Sequence, residues 1–382
     1  MKGVLKNVYL ITRQVLLQLI GFIFIHKKIS VSPEEISKIL FIRIDRIGDL
    51  VLSTPALKAL KEKYLHAELT VLASPSNVPV VMRNPFVDHV LTFDSNDGWR
   101  GWYKIIKVLR SNTYDLVIDP YHNYALNTAI LSFLSGAKFR IGYESYGRGI
   151  FYDMAIAQPQ EYRHQVDIVL DTLKPIGIDN ADRNPQIFLS DEERKWGHSW
   201  LEEHQLGQKP IIGIHPGAFY PTQRWPAEYF SELIQQIQEQ GKHDVVLFGG
   251  PGDGRLLEEV LSPLDHLVAC YAGGDLRRFA ALLCHCKIFL GNNSGPLHVA
   301  VALGIPTISF MGPTVKEIWE PKGPRHRILR VDSLPCIGCG SGVCLIKTHD
   351  CMRLLTPSLA LEHIMSETRE TISVPPAWNA GP

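Results

Sequence analysis

The feature that most constrains the fold of this chain is a regular alternation of short, apolar, β-rich runs with helical stretches. It starts near Lys38 and restarts near Ile211. The expected strands are 39–44, 69–73, 89–93, 115–119 and 139–143 in the first half, and 211–215, 244–248, 287–290 and 306–310 in the second. This alternation predicts parallel sheets with helices on both faces. Two such series in 382 residues predict two doubly wound, Rossmann-like α/β domains, at 38–190 and 207–355, followed by a helix at 356–370.

The amino-acid composition excludes several classes of protein and of partner. Apolar residues make up 45% of the sequence and charged residues 20%, which argues against a disordered, collagen-like or coiled-coil chain. Lys plus Arg and Asp plus Glu both number 39, so the formal net charge is zero and we expect no nucleic-acid partner. The 7 cysteines are an odd number for a paired disulfide framework, so we expect a reducing, cytoplasmic location.

Residues 1–30 predict an amphipathic N-terminal helix. The apolar stretch 9–25 is interrupted by Arg13 and two glutamines, so it is too short and too polar to indicate a membrane span. The basic run His26-Lys27-Lys28 follows it, without the small residues of a cleaved signal peptide. Lys2, Lys6 and Arg13 fall near one helical face. Two interpretations stay open: a helix in a membrane interface with these cations near anionic headgroups, or a helix packed on the protein's own surface.

Sites in doubly wound sheets form at the carboxyl ends of strands, so the loops at those ends are the candidates. After the first strand, Gly48 permits a tight turn, and Asp49 follows it near the start of a helix. A carboxylate there can accept a proton from a sugar hydroxyl, which makes Asp49 a candidate general base. The alternatives are that Asp49 only caps the helix, or that Asp45 takes the same role.

Two loops of the second half are suited to an anion. Arg224 stands just before a helix, where its guanidinium suits a phosphate oxygen or else pairs with a surface carboxylate. After strand 287–290, a turn containing Asn293, Ser294 and Gly295 leads into an apolar helix whose amides and dipole suit a diphosphate. His298 falls on the first turn of that helix, where a lone histidine is more often packed than a proton shuttle.

Four cysteines lie close together near the end of the second domain, at Cys336, Cys339, Cys344 and Cys351. Four thiolates within sixteen residues predict a structural Zn or Fe site. The alternative is a set of free thiols or a redox disulfide.

Four stretches together resemble the bacterial heptosyltransferases of lipopolysaccharide core synthesis, glycosyltransferase family 9. They are IRIDRIGDLVLSTPAL at 42–57, HPGAFYPTQRWPAEYF at 215–230, VVLFGGPGD at 245–253 and GNNSGPLHVAVALGIPTISFMGPT at 291–314. The cysteine loop ending in Cys351 is also similar, and the resemblance runs from about 38 to 366. It implies a GT-B architecture, in which two Rossmann-like domains face a central cleft.

The resemblance also implies roles by position. The catalytic aspartate of the family falls on Asp49, the basic residue before Trp-Pro falls on Arg224, and the family histidine falls on His298. The Asp-Ser/Thr-Gly that holds the nucleotide sugar falls on Asn293-Ser294-Gly295, and Asp253 joins the nucleotide-sugar-binding candidates. Asn293 departs from the family carboxylate. An amide is a weaker acceptor but also a donor, which affects the choice of donor sugar rather than the reaction class.

The resemblance thus implies inverting transfer of a heptose, or a related sugar, from an ADP-sugar to a lipopolysaccharide core or related glycolipid acceptor. Asp49 is the expected base, Arg46 and His122 are expected to bind the acceptor, and no cofactor is required for the chemistry. We expect a cytoplasmic enzyme, peripheral on the inner membrane. Two rivals are a nucleotide-sugar oxidoreductase and a non-catalytic, metal-stabilised protein that binds a glycan or a partner.

Overall fold

The structure is a computed structural model that describes residues 2–23 and 35–370. The chain divides into two compact units, Met1–Asn184 and Pro185–Pro382, each built around a six-stranded parallel sheet. The strands of the first unit are β1 Lys38–Arg43, β2 Glu68–Ala73, β3 His89–Thr92, β4 Leu116–Asp119, β5 Phe139–Tyr143 and β6 Met154–Ile156. Those of the second unit are β7 Ile211–His215, β8 Asp244–Phe248, β9 Ala269–Tyr271, β10 Cys286–Asn292, β11 Thr307–Phe310 and β12 His326–Leu329.

Both sheets have the same strand order. It is β3-β2-β1-β4-β5-β6 in the first unit and β12-β11-β10-β7-β8-β9 in the second. The direction of winding reverses between β1 and β4, and again between β7 and β10. Ligands of doubly wound sheets bind outside the carboxyl ends of the strands at such reversals. The loops after these four strands are therefore the places where the fold favours a site.

Helices cover the sheets and fill the connections. Those of the first unit are α1 Lys2–Ile23, α2 Ile47–Val51, α3 Thr54–Lys63, α4 Val78–Val81, α5 Gly98–Asn112, α6 Asn127–Leu134 and α7 Gln165–Asp171. Those of the second unit are α8 Asp191–Glu203, α9 Ala227–Gln240, α10 Gly254–Leu261, α11 Leu276–Leu283, α12 Gly295–Ala302, α13 Lys316–Trp319, α14 Asp350–Arg353 and α15 Pro357–Glu370. Because helices lie on both faces, the central strands β4 and β7 are buried along their whole length.

The strand pattern read from the sequence agrees with the structure except at the edges. Strands β6, β9 and β12 were not predicted, and each lies at an edge of its sheet, with only three or four residues. An outermost strand is covered less, so its apolar signal is weak. Helix α8, which falls between the predicted domains 38–190 and 207–355, belongs to the second unit, where Glu193 pairs with Arg277 of α11 at 2.7 Å.

Helix α1 packs on the first unit, and two of its cations, Lys6 and Arg13, contact the protein. Leu10 is 3% exposed, and the Arg13 guanidinium donates two hydrogen bonds to the carbonyl of Tyr146, at 3.2 and 3.0 Å. The Lys6 ammonium lies 4.2 Å from the centre of the Tyr124 ring. These contacts of Lys6 and Arg13 favour the interpretation of α1 as a helix packed on the protein's own surface, while the contact of these cations with headgroups stays a prediction. Lys2, whose side chain is not among those described, stays untested, and residues 24–30 of the predicted helix lie outside the described residues.

The opposite face of α1 is apolar and exposed. Val8, Ile11, Val15 and Leu19 follow one another at helical spacing and are 50–62% exposed. Among the described helices, none combines the length and hydropathy that crossing a bilayer requires.

Candidate active site

Asp49 lies in the first turn of α2, directly beyond the carboxyl end of β1. The residue that caps α2 is Arg46, and the residue that caps α3 is Ser53, so Asp49 caps neither helix and that alternative is wrong. The Asp49 side chain is 15% exposed and retains a route to solvent. A carboxylate in this position can reach a substrate at the edge of the sheet.

A buried arginine holds both carboxylates of this loop. The guanidinium of Arg43 is 1% exposed, and its two terminal nitrogens lie 3.2 Å from Asp45 Oδ2 and 3.2 Å from Asp49 Oδ1. The Asn77 side chain donates a 3.0 Å hydrogen bond to the carbonyl of Arg43, which fixes the end of β1. Sequence reasoning missed Arg43, although a charged residue inside the apolar run ILFIRI was a visible signal.

The two carboxylates differ in their surroundings. Burial raises the pKa of Asp45 to about 7, an effect that Arg43 opposes and that the neighbouring charge of Asp49 reinforces. Asp45 Oδ1 is buried and has no hydrogen-bond partner within the described part of the chain. A pKa near neutrality suits a general base, so the structure keeps Asp45 as a rival to Asp49.

The loop after β4 is fixed by a fully buried ion pair. Arg148 donates to Asp119 Oδ2 at 2.9 Å, and the Tyr152 hydroxyl donates to the same oxygen at 2.6 Å. The other oxygen of Asp119 accepts the Tyr121 amide at 3.1 Å, which turns the chain directly after the strand. This network is a positioning device that sequence reasoning did not find.

The two predicted acceptor residues lie in loops that the fold brings together. Arg46 is exposed at the start of α2, whereas His122 is half-buried, with its ring centre 6.1 Å from that of Tyr143. Burial lowers the pKa of His122 to about 4, with help from the positive charges of Arg43 and Arg148. His122 is therefore neutral at physiological pH and can donate one hydrogen bond and accept another.

In the second unit, Arg224 is held in place by its neighbour Trp225. The Trp225 ring stacks on Phe310 at 4.1 Å, and its indole nitrogen donates to the carbonyl of Leu355 at 2.7 Å. Arg224 is half-buried and donates from Nε to the carbonyl of Ala218 at 3.0 Å. It pairs with no carboxylate of the described residues, which favours an anion site over a structural ion pair.

One buried asparagine joins the loops that follow β7 and β10. Asn292 Oδ1 accepts the amide of Trp225 at 2.9 Å, and its Nδ2 donates to the carbonyl of Pro216 at 2.7 Å. Arg224 is thereby tied to the strand that leads directly into the Asn293-Ser294-Gly295 turn. The structure thus brings together the two anion-binding loops that the sequence predicted.

The start of α12 presents an unused polar group. Ser294 is the N-cap in extended conformation, and its Oγ is buried without a hydrogen-bond partner in the described chain. Asn293 Nδ2 donates to the carbonyl of Trp319 at 3.2 Å, a bond that the family aspartate could not make because a carboxylate has no proton to give. His298 is 4% exposed, with its ring centre 6.2 Å from that of Trp319.

Asp253 shapes the loop after β8. Its Oδ2 accepts the amide of Gly250 at 2.8 Å and lies 3.6 Å from His215 Nε2. A Cβ added to Gly217 would come within 2.6 Å of this oxygen, so a larger residue there would displace the Asp253 carboxylate. Burial lowers the pKa of His215, which Asp253 partly offsets. His215 was missed by sequence reasoning, although a histidine ending a buried strand was the signal.

The cysteine loop does not form a ligand set. All four cysteines are free, Cys339 is exposed and Cys351 is buried. Burial raises the pKa of Cys351 to about 11, and the charges of the nearby Cys336, Cys339 and Cys344 add to the effect. Across residues 2–23 and 35–370, no three His, Cys, Asp or Glu side chains are grouped to hold a metal ion. The predicted Zn or Fe site is thus not assembled in the structure.

Comparison with known proteins shows the family of this chain. The sequence model of glycosyltransferase family 9 (heptosyltransferase) matches residues 102–349. Lipopolysaccharide heptosyltransferase 3 of Escherichia coli K12 is 30% identical over 291 residues, 72% of this chain and 82% of that protein.

Solved structures are similar in fold. The family 9 glycosyltransferase of Veillonella parvula superposes with a TM-score of 0.80 at 21% identity, over 90% of this chain and 99% of that one. An E. coli heptosyltransferase solved with ADP-2-deoxy-2-fluoro heptose superposes with a TM-score of 0.66 at 17% identity, over 86% and 99% of the two chains.

Proposed function

Because the chain belongs to glycosyltransferase family 9, the heptosyltransferase family, we propose that it moves a heptose from an ADP-sugar to a lipopolysaccharide core or related glycan. Asp49 acts as the base, and the transfer inverts the anomeric centre. Family membership makes the protein a glycosyltransferase and favours this activity over the oxidoreductase and the non-catalytic scaffold.

The donor belongs to the second unit. When the glycosidic bond to the nucleotide breaks, negative charge builds up on the leaving diphosphate. Arg224, the Ser294 hydroxyl and the amides at the start of α12 supply positive charge and donors for it, on loops tied together by Asn292. This set stabilises the leaving group without a metal. The solved relative that holds ADP-2-deoxy-2-fluoro heptose supports the choice of an ADP-linked donor.

The acceptor and the base belong to the first unit. Asp49 takes the proton of an acceptor hydroxyl while that oxygen bonds to the anomeric carbon, on the face opposite the diphosphate. The carbon–diphosphate bond breaks in the same displacement, so the configuration inverts and ADP leaves with the electron pair. The carrying observation is the partly exposed carboxylate of Asp49, held by the buried Arg43 at the winding reversal of the first sheet.

The test is nucleotide release from a panel of ADP-, UDP- and GDP-linked sugars, each with and without truncated core glycolipid. We expect release from ADP-heptose that depends on the acceptor. Release only from a UDP- or GDP-sugar would overturn the donor assignment. Release from ADP-heptose that the glycolipid does not stimulate would overturn the acceptor assignment.

We also propose that α1 rests on the cytoplasmic surface of the inner membrane, near the lipid-linked acceptor. The uncharged stripe of Val8, Ile11, Val15 and Leu19 supports contact with acyl chains, and the basic run 26–28 suits anionic headgroups. Ile11→Asp with Leu19→Asp should abolish co-sedimentation with anionic vesicles. The control Leu65→Asp, at an apolar residue 70% exposed elsewhere on the first unit, should not. Equal sedimentation of both variants would contradict the contact.

A further inference from the structure

A cavity of about 640 Å³ opens at the carboxyl edge of the first sheet. The loops after β4, β5 and β6 contribute His122, Ser145 and Gln158, and α1 closes one side with Gln14. Small-molecule sites commonly enclose ~300–1,000 Å³, so the space suits a short saccharide. We call it the α1 cavity.

The wall that α1 provides is held firmly. The two Arg13 hydrogen bonds to the Tyr146 carbonyl clamp the helix against the loop after β5. Gly147 has φ +89°, and a Cβ there would lie 3.0 Å from the Leu17 side chain and 3.2 Å from the Gln14 Cα. The close approach of α1 to this loop thus requires glycine at position 147.

The floor of the cavity is equally ordered. The buried Asp119–Arg148 pair fixes the loop that carries His122, and Gln158 donates to the carbonyl of His122. Glu144 is committed too, since its two oxygens accept the amides of Gly147 at 2.8 Å and Gly149 at 2.7 Å. The cavity is thus a preorganised feature rather than a gap between mobile loops.

The lining offers neutral hydrogen-bonding groups and aromatic rings. Gln14, Asn123 and Gln158 bring amides, Ser145 brings a hydroxyl, and His122 is a neutral imidazole because its pKa is about 4. The rings of Tyr124 and Tyr146 are 38% and 42% exposed at the cavity.

Among the described residues, three cations near the cavity have partners on the protein. Arg13 bonds to Tyr146, Lys6 lies on the ring of Tyr124, and Arg148 is buried with Asp119. Groups that both donate and accept match sugar hydroxyls, whereas phosphate, which only accepts, favours guanidinium groups. The chemistry of the lining therefore favours an uncharged sugar over a phosphorylated one.

The cavity opens at the same edge of the first sheet as the candidate base. His122 lies in the loop after β4, and Asp49 lies just beyond the end of β1, where Arg43 contacts it at 3.2 Å. The loops that carry these groups follow the neighbouring strands β1 and β4. A saccharide in the cavity is thus at the same edge of the sheet as the carboxylate that would deprotonate it.

We infer that the α1 cavity binds an uncharged sugar ring of the acceptor, and that α1, through Gln14, is part of the acceptor site. The assignment of the ligand as acceptor rests on the proposed function. The two faces of helix α1 then bind different ligands. Gln14 contacts the glycan, and the apolar residues on the opposite face contact the lipid surface.

The test is direct binding of a soluble probe to the full chain, measured by calorimetry or saturation-transfer NMR. The probe is the delipidated, dephosphorylated oligosaccharide of a heptose-containing lipopolysaccharide core. Gln14→Ala should raise its Kd about five- to tenfold, the loss of one hydrogen bond. The matched control Gln18→Ala, an exposed glutamine one turn further along α1, should leave the Kd unchanged.

Equal Kd values for Gln14→Ala and the parent would overturn the inference, provided that both melt at the same temperature. If the variant unfolds, Ser145→Ala replaces it with the same expectation. The same oligosaccharide with its phosphate groups retained serves as a second probe. If it binds more tightly than the dephosphorylated probe, with an affinity that falls steeply as salt is added, the inference is also overturned. The proposed function fails separately, by an absence of ADP release from ADP-heptose, because the Kd comparison needs no turnover.

Discussion

Replacing Asp49 with asparagine isolates its role as a base from its role in the fold. In the parent protein, the Arg43 guanidinium lies 3.2 Å from Asp49 Oδ1. Asparagine keeps an oxygen that can accept a hydrogen bond from this guanidinium, but it cannot take a proton from the substrate. Asp45 Oδ2 still contacts Arg43 from its other side, also at 3.2 Å. We therefore expect a loss of only about 1–2 kcal/mol in the free energy of unfolding.

The catalytic loss should be much larger. Removing a general base lowers kcat by ~10²–10⁴-fold, or about 3–5 kcal/mol of transition-state stabilisation. The donor loops lie in the other unit, so the Kd for ADP-sugar should be unchanged. Acceptor-dependent ADP release gives kcat, calorimetry gives the donor Kd, and urea titration gives the stability.

The matched control is Asp45→Asn, on the other arm of the same guanidinium, for which we expect a loss of kcat below about tenfold. The reverse pattern, with Asp45→Asn inactive and Asp49→Asn active, would assign the base to Asp45 and refute the argument. A kcat of Asp49→Asn equal to that of the parent would refute it as well.

The remaining predictions concern ADP binding and stability. Arg224→Ala should weaken ADP binding about 10–100-fold through the loss of a charge-assisted bond, whereas Arg255→Ala, exposed on α10, should not; calorimetry that finds the two alike would contradict the assignment. At Asp115, burial alone would raise the pKa, but bonds from Lys138 and the 37–38 backbone outweigh it and lower the pKa to about 2. Asp115→Asn should therefore cost about 2 kcal/mol of unfolding free energy at pH 7, a difference that disappears as the pH falls from 4 to 2; a difference independent of pH would contradict it. The pH dependence of stability that Asp45 contributes has the opposite sign. Its folded pKa of about 7 exceeds the ordinary 3.8, so the ionisation of Asp45 destabilises the fold as the pH rises from 4 to 7. Denaturation should show that the Asp45→Asn variant is more stable relative to the parent at pH 8 than at pH 5. The same difference in unfolding free energy at both pH values would contradict the raised pKa.

The sequence was sufficient for the parts of the fold that depend on burial. Central strands such as 211–215 are covered on both faces and read as continuous apolar runs. Turn chemistry before α12 located Ser294 and Gly295, since small residues between a buried strand and a helix indicate an N-terminal anion site.

What could not be predicted depends on pairings between distant segments. Asp119 and Arg148 are 29 residues apart, and nothing in either local sequence indicates the buried pair that positions His122. The direction in which α1 faces could not be predicted either. The partner of Arg13 is the backbone carbonyl of Tyr146, and every residue has such a carbonyl, so the sequence does not indicate it. Asn293 looked like a weakened sugar ligand until its bond to the Trp319 carbonyl gave it a structural use.

The most direct measurement is the anomeric configuration of the transferred sugar, read by NMR from the product formed with ADP-heptose. A single displacement with Asp49 as base predicts that the configuration in the product is opposite to that in the donor. Retention of the donor configuration would contradict the account, because a single displacement from the face opposite the leaving diphosphate inverts the anomeric carbon.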